Sequence, residues 1–175
     1  MTFRVITISG EVASGKSSLA NALTDLLPEW RRVNTGQLVR DFFSARGQIV
    51  QAPNYLPDKV NRVFDAEQRK TIETGFHVIV EGHLAGWLAF RVEDVLKVYC
   101  YASLEIRVER YMAREIVSRE KALSDIMFRE DQELEYFGKI YGIPNFRSSS
   151  LYDLQIDTGN YTSEELAQII FKELG

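Results

Sequence analysis

The apolar run FRVITIS (3–9) passes directly into GEVASGKSS (10–18), and no other stretch of the chain restricts its fold as tightly. A β-rich segment, a turn built from small residues and a helix over 15–27 follow one another with no linker, which is the opening of a strand–loop–helix unit. Gly10, Gly15, Lys16 and Ser17 satisfy the pattern G-x-x-x-x-G-K-[ST] at every fixed position. Glycines let such a loop turn so that successive backbone N–H groups point inward, and the helix that follows adds a partial positive charge. The alternative, a Gly/Ser turn with an incidental lysine, accounts for neither flank. The pattern therefore predicts a phosphate cradle of Gly10, Ala13, Ser14, Gly15, Lys16, Ser17 and Ser18, in which Lys16 reaches the β- and γ-phosphates and Ser17 offers a hydroxyl to Mg²⁺.

Beyond this unit, short β-rich runs alternate with longer helical patterns, the sequence form of a parallel sheet with crossover helices. Strands are predicted over 3–9, 31–34, 77–82, 96–102 and 152–158, and helices over 15–27, 36–46, 56–74, 103–115, 119–140 and 162–173. The last helix follows TSEE, a capping-box start. Pro28, Pro53, Pro57 and Pro144 fall outside or at the edges of these helices, as proline should. About fifty residues rich in Arg and Glu separate the fourth and fifth strands, far more than a crossover needs, and suggest a lid. The 175 residues are expected to form one domain.

Composition narrows the partners. A net charge of −4 supplies no general attraction to nucleic acid or to an anionic membrane, so any anion must be held by a local cluster of cations. Cys100 is the only cysteine, which excludes an internal disulfide framework and a structural zinc site and fits a reducing, cytoplasmic setting. The chain shows neither a secretory leader nor an apolar stretch approaching the roughly 20 residues of a membrane span. Small-molecule partners, no nucleic acid, no membrane and a monomer are expected.

The third strand ends in Glu81 of HVIVEGH, a carboxylate placed beside the phosphate loop in a sheet of this kind. It can hold Mg²⁺ through water or orient the attacking group; the alternative is a strand-end acid capping the next turn. No N-K-x-D guanine-reading string occurs, so ATP is the expected donor.

NTGQLVR (34–40) resembles the Thr-Gly…Arg segment with which nucleoside monophosphate kinases hold their acceptor. Together with VIVEGHLAGW, RVERYMARE, FREDQELEYFGKIYGI and LYDLQIDT, in this order and at similar spacing, the chain resembles the short cytidylate kinases typical of archaea over nearly its whole length. The resemblance implies an α/β P-loop kinase fold with a five-stranded parallel sheet in the order 2-3-1-4-5, an acceptor-binding helical insert over 36–75 and an Arg-rich lid over 103–140. It implies transfer of the γ-phosphoryl of Mg-ATP to CMP or dCMP. Arg40 would bind the acceptor's phosphate, and Gly36 would let the chain approach it. Two polyanions must be brought together against their repulsion, which requires an arginine site opposite the phosphate loop. Arg40 pairing with Asp41 on the surface is the alternative.

Arg107, Arg110 and Arg114 share one helical face, and Arg129 begins the return of the lid. Closing such guanidinium groups over the phosphates would stabilise the charge of the transition state and exclude water. Arg110, Arg114 and Arg129 are the expected catalytic arginines beside Lys16, and Arg107 ranks below them; the alternative is a solvated helix laced with Glu109, Glu115 and Glu120. Asp58, Asp65 and Gln68 can read a cytosine edge or form a polar helix face, and Gly82 and His83 adjoin the acceptor. The aromatics Tyr136, Phe137, Tyr141 and Phe146 are expected to pack rather than stack on a base.

The sequence departs from the resemblance twice. His83 stands where the family has arginine, and Ile116 follows Arg114-Glu115 where the family has glycine. His83 can contact a phosphate when protonated, admit an altered acceptor, or be a packed histidine; His77, at the other end of the strand, is structural. Kinase chemistry on another phosphorylated or hydroxylated acceptor, and a non-catalytic ATP-binding regulator, are the rival functions.

Overall fold

The computed structural model describes residues 3–45, 47, 58–143 and 145–175. Pro53, Pro57, Pro144, the first two positions of the helix predicted over 56–74 and the last of that over 36–46 lie outside the described residues. The strands are β1 (Val5–Gly10), β2 (Arg31–Asn34), β3 (Val78–Glu81), β4 (Val95–Tyr101) and β5 (Leu154–Asp157). The helices are α1 (Lys16–Leu26), α2 (Thr35–Ser44), α3 (Asp58–Thr74), α4 (Ala85–Leu88), α5 (Leu104–Glu115), α6 (Arg119–Tyr141) and α7 (Ser163–Glu173). The sheet is parallel throughout, in the order β2-β3-β1-β4-β5.

Burial on both faces explains the nearly unbroken apolar strands. On one face α1 and α7 bring Leu19, Leu23, Leu166 and Ile170 against Ile6, Ile8, Ile79 and Val98. On the other, Ile72, Leu84, Leu88, Ile143 and Phe146 cover Val5, Val78, Val80 and Val95. Each such side chain contributes about 1.5–3 kcal/mol when fully buried. A third cluster, Val12, Val108, Tyr111, Ala122 and Ile126, joins the phosphate loop to α5 and α6.

Helix starts are fixed locally. Asn34, Ser103, Ser118 and Thr162 each accept a hydrogen bond from a backbone N–H in the first turn of the helix that follows, and Thr162 and Glu165 complete the reciprocal capping box of α7. The short α4 escapes a periodicity reading because it is only four residues long. Cys100 is free and buried in β4, where burial pushes its thiol up to about 12. His77 is stacked against Trp30 and Phe76, a packing role. Among the described residues no helix is long and apolar enough to cross a membrane.

Strands β1 and β3 lie side by side, yet the chain leaves them in opposite directions, β1 towards β2 and β3 towards β4. In sheets of this class ligands sit outside the carboxyl ends of the strands at such a switch point. Gly10, Asn34 and Glu81 stand at those ends.

Candidate active site

A cavity of about 910 Å³ opens at this switch point, within the size range of small-molecule sites. At its centre the phosphate loop leaves β1 and enters α1 with Gly15 at φ 84° as N-cap. A Cβ on Gly10, whose φ is 153°, would lie 2.2 Å from the carbonyl oxygen of Cys100, so only glycine lets the loop leave beside β4. Ala13, Ser14, Gly15, Lys16, Ser17 and Ser18 line the cavity. Lys16 arches back over its own loop and donates to the carbonyls of Gly10 at 3.0 Å and Glu11 at 2.6 Å. Burial pushes its pKa down, against the opposing charges of Glu133 and Glu81. A cation held so is an invitation to phosphate oxygens.

Ser17 donates its hydroxyl to Glu81 Oε1 at 2.5 Å. The other carboxylate oxygen of Glu81 accepts from Arg32 and, at 2.9 Å, from Asn34 Nδ2. Glu81 is thus fixed by three side chains from two elements, α1 and β2, rather than capping a turn. Asn34 is bifunctional, since its Oδ1 also caps α2 by accepting from Gln37 N at 2.9 Å. The acid at the phosphate loop and the helix that starts the acceptor segment are therefore joined through one side chain.

Gly36 and Arg40, expected to hold the acceptor, line the cavity from α2. Arg40 is exposed and donates to Gln37 Oε1 at 2.7 Å, and Gln37 donates in turn to Asp41 at 2.7 Å. Gly82 lies where α3 crosses β3; a Cβ there would meet Gln68 Nε2 at 2.5 Å. That amide donates to Thr35 Oγ1, and Gln68 is only 4% exposed. Asp65 also lines the cavity and accepts from the Tyr141 hydroxyl at 2.6 Å. Asp58, the exposed first residue of α3, is not among the lining residues. Phe146 is wholly in the core and Tyr141 packs on Trp87, whereas Tyr136 and Phe137 reach the cavity wall.

The structure separates the arginines of the predicted common face. Arg107 is buried and lies 3.2 Å from Glu11 and 2.6 Å from Glu130, away from the cavity. Arg110 donates to Thr158 Oγ1 at 2.9 Å and Thr158 O at 2.7 Å, and Thr158 donates onward to Ser14 O at 2.7 Å, so Arg110 docks on the phosphate loop through the end of β5. Arg114 is about half exposed, ion-paired to Glu115 and set over the Tyr111 ring. Arg110, Arg114 and Arg129 all line the cavity. Beyond Arg114, Ile116 caps α5 in the left-handed region at φ 56° and is 91% exposed. A β-branched residue is strained there, as glycine would not be.

Two acids on α6 escaped the sequence reading. Glu130 accepts from Val12 N at 3.2 Å as well as from Arg107, tying the lid helix to the phosphate loop. Glu133, 4% exposed, places Oε2 3.1 Å from His83 Nδ1. Burial would raise its pKa, but His83, Arg129 and Lys16 outweigh burial and hold the carboxyl below the usual range. For His83, burial pushes the imidazole below its ordinary value, with Lys16 and Arg129 acting the same way and Glu133 opposing them. Thr158, Tyr161, Thr162, Ser163 and Glu164 also line the cavity, and the sequence marked only the capping start of α7 among them. The sequence gives no signal for the partners of Glu130 and Glu133, because those partners lie on other elements.

Comparison with known proteins agrees with this geometry. Residues 29–160 match the model of the cytidylate kinase-like family. The cytidylate kinase of Sulfolobus acidocaldarius is 33% identical over 168 residues, covering 94% of this chain and 91% of that protein. That of Saccharolobus islandicus is 31% identical over 173 residues, covering 97% and 90%. Among solved structures, a protein from Eubacterium ventriosum superposes with a TM-score of 0.74 at 17% identity, each chain covered to 98%. Shikimate kinase from Acinetobacter baumannii, solved with shikimate, superposes with a TM-score of 0.56 at 15% identity, covering 99% of this chain and 93% of that one. The structural likenesses carry the fold, a P-loop kinase sheet with flanking helices, and the sequence matches carry the lineage: this chain belongs to the cytidylate kinase-like family.

Proposed function

We propose that the protein is an ATP-dependent nucleoside monophosphate kinase that moves the γ-phosphoryl of ATP to CMP or dCMP. One observation carries the reading: a single cavity has the phosphate loop with Lys16 on one wall and Arg40 on another, with Arg110, Arg114 and Arg129 of the 103–140 segment around it. That is a two-phosphate site, which a passive nucleotide binder does not need. The relatives' name supplies the acceptor class.

The chemistry asked of the chain is positioning and charge stabilisation. Backbone N–H groups of the loop and Lys16 hold the donor's phosphates. Arg40, within the 36–75 segment, holds the acceptor's phosphate so that its oxygen faces the γ-phosphorus. As the bridging bond breaks, charge spreads over the equatorial oxygens, and Lys16, Arg110 and Arg129 are the cations at hand to stabilise it. Arg114, already at the cavity rim, completes the set on closure and excludes water.

Ser17 and Glu81 fit Mg²⁺. Two hard oxygens already touch, and the ion characteristically takes one or two protein oxygens with substrate phosphates and water as its remaining partners. Among the described residues no cluster of three acidic, His or Cys side chains offers a complete protein cage, in keeping with a substrate-assisted site. When bound, the ion would neutralise charge on the β- and γ-oxygens. With ATP as substrate and Cys100 reduced, the cytoplasm is the setting.

The test is ADP release with ATP, Mg²⁺ and a panel of acceptors. CMP and dCMP should raise release well above the rate without acceptor. Equal release with and without every monophosphate would overturn the reading.

A further inference from the structure

Resting on the kinase reading above, the question is what chooses the acceptor's base. Beyond Arg40 the cavity runs between α3 and α6, where Phe64 of α3 and Tyr136 and Phe137 of α6 supply aromatic faces and Asp65 and Gln68 of α3 the polar edge. Stacking faces around a few hydrogen-bonding groups make a site for a planar base.

Asp65 is the informative member of that edge. Its Oδ2 accepts from the Tyr141 hydroxyl at 2.6 Å, and no other hydrogen bond or ion pair to it is found among the described residues. The charge of Arg62 partly offsets the burial of Asp65, but its guanidinium donates to Ile140 O at 3.3 Å and lies 5.6 Å from the centre of the Tyr141 ring. Burial pushes the Asp65 carboxyl upward, so the carboxylate is under-solvated for its charge. An ionised carboxylate has room for about four hydrogen bonds, and this one has spent one. Tying α3 to α6 would need only the Tyr141 contact and no charge, since an asparagine could accept it equally well. The free oxygen points to a ligand that donates.

We propose that Asp65 is the specificity-determining residue of the acceptor site, its free oxygen accepting a hydrogen bond from the exocyclic amine of cytosine. The pairing is the one by which a carboxylate reads that amine in nucleic acids. Uracil presents a carbonyl at the same position, and a carboxylate facing it is repelled. The Tyr141 hydroxyl orients Asp65 and fixes which oxygen is left over. Gln68 has its amide committed to Thr35 and shapes the floor without choosing between the two bases.

The test compares kcat/KM for CMP, UMP and the monophosphate of pyrimidin-2-one riboside, which keeps the ring but lacks the amine. In wild type, CMP should exceed both others by about ten- to hundredfold, the worth of one hydrogen bond to a charged group. In Asp65→Asn, whose amide can turn to donate, the CMP-to-UMP ratio should fall at least about tenfold while KM for ATP stays unchanged. If Asp65→Asn fails to fold, the amine-free analogue still decides the matter on the wild-type enzyme. Equal use of that analogue and CMP, or a parallel loss for CMP and UMP in Asp65→Asn, would overturn the assignment and leave Asp65 a strut between α3 and α6. ADP release that no monophosphate raises above the acceptor-free rate would overturn the kinase reading itself, and this proposal with it.

Discussion

The wall proposed for the donor and the wall proposed for the acceptor of one cavity are built in different ways. On the donor wall the key polar groups are held in place: Lys16 is folded onto its own loop, Ser17 and Glu81 are hydrogen-bonded to each other, and Arg110 is locked on Thr158. Behind it the buried Arg107–Glu130 pair fastens α5 and α6 to Val12. On the acceptor wall Arg40 is exposed and, among the described residues, hydrogen-bonds only to Gln37, within its own helix. The difference follows from sheet geometry, because the donor wall grows from the ends of β1, β3 and β5 and the acceptor wall from helices. On the proposed assignment the phosphates of ATP would meet a preformed cradle, whereas the acceptor's phosphate would complete its own site.

Breaking the scaffold of the donor wall should have the largest effect. Glu130→Ala leaves Arg107 buried without its closest partner and should lower stability by about 3–5 kcal/mol, read from urea unfolding. A loss within a few tenths of a kcal/mol would mean that the pair is dispensable to the loop. Next comes Lys16→Ala, which should fold normally and lose about 10²–10³ in kcat, measured by ADP release. A variant that keeps most of its kcat would remove Lys16 from the transition state.

These two positions also show what could be read in advance. Lys16 lies in a contiguous pattern whose chemistry depends on neighbours in sequence, and all five strands followed from equally local runs, whereas the strand order came with the family resemblance. Glu130 is 118 residues from the N–H that it accepts from, and helical periodicity gives a face but no partner. The three lid arginines illustrate the limit: one face on a helix is wide enough for Arg107 to be buried, Arg110 docked and Arg114 exposed. Glu133 was hidden for the same reason, and with it the surroundings of His83.

On the acceptor wall the effects should be smaller and confined to one substrate. Arg40→Ala should reduce kcat/KM for CMP by about tenfold to a hundredfold, the loss of a charge-assisted contact of roughly 1.5–3 kcal/mol, and leave ATP affinity as it was. An equal loss for ATP would merge the two walls into one. The smallest effect belongs to His83. Its ordinary pKa is near 6.5, and burial moves it lower, so a cation there is present only below that value and is lost as pH rises through it. The ratio of wild-type to His83→Asn kcat/KM for CMP should be near one at pH 7.5 and rise as pH falls below about 6.5; the asparagine variant shares the substrate's own titration, so the ratio isolates the imidazole. A ratio that stays constant over this range would make His83 a packing residue held by Glu133.

The claim at the centre is that one cavity brings two phosphate-bearing substrates together for direct transfer, and following the γ-phosphoryl group tests it most directly. With γ-labelled ATP and CMP, label should appear in the β-phosphate of CDP in step with ADP, and Arg40→Ala should slow its appearance without increasing label in inorganic phosphate. Label released as inorganic phosphate at the same rate with or without CMP would contradict the account.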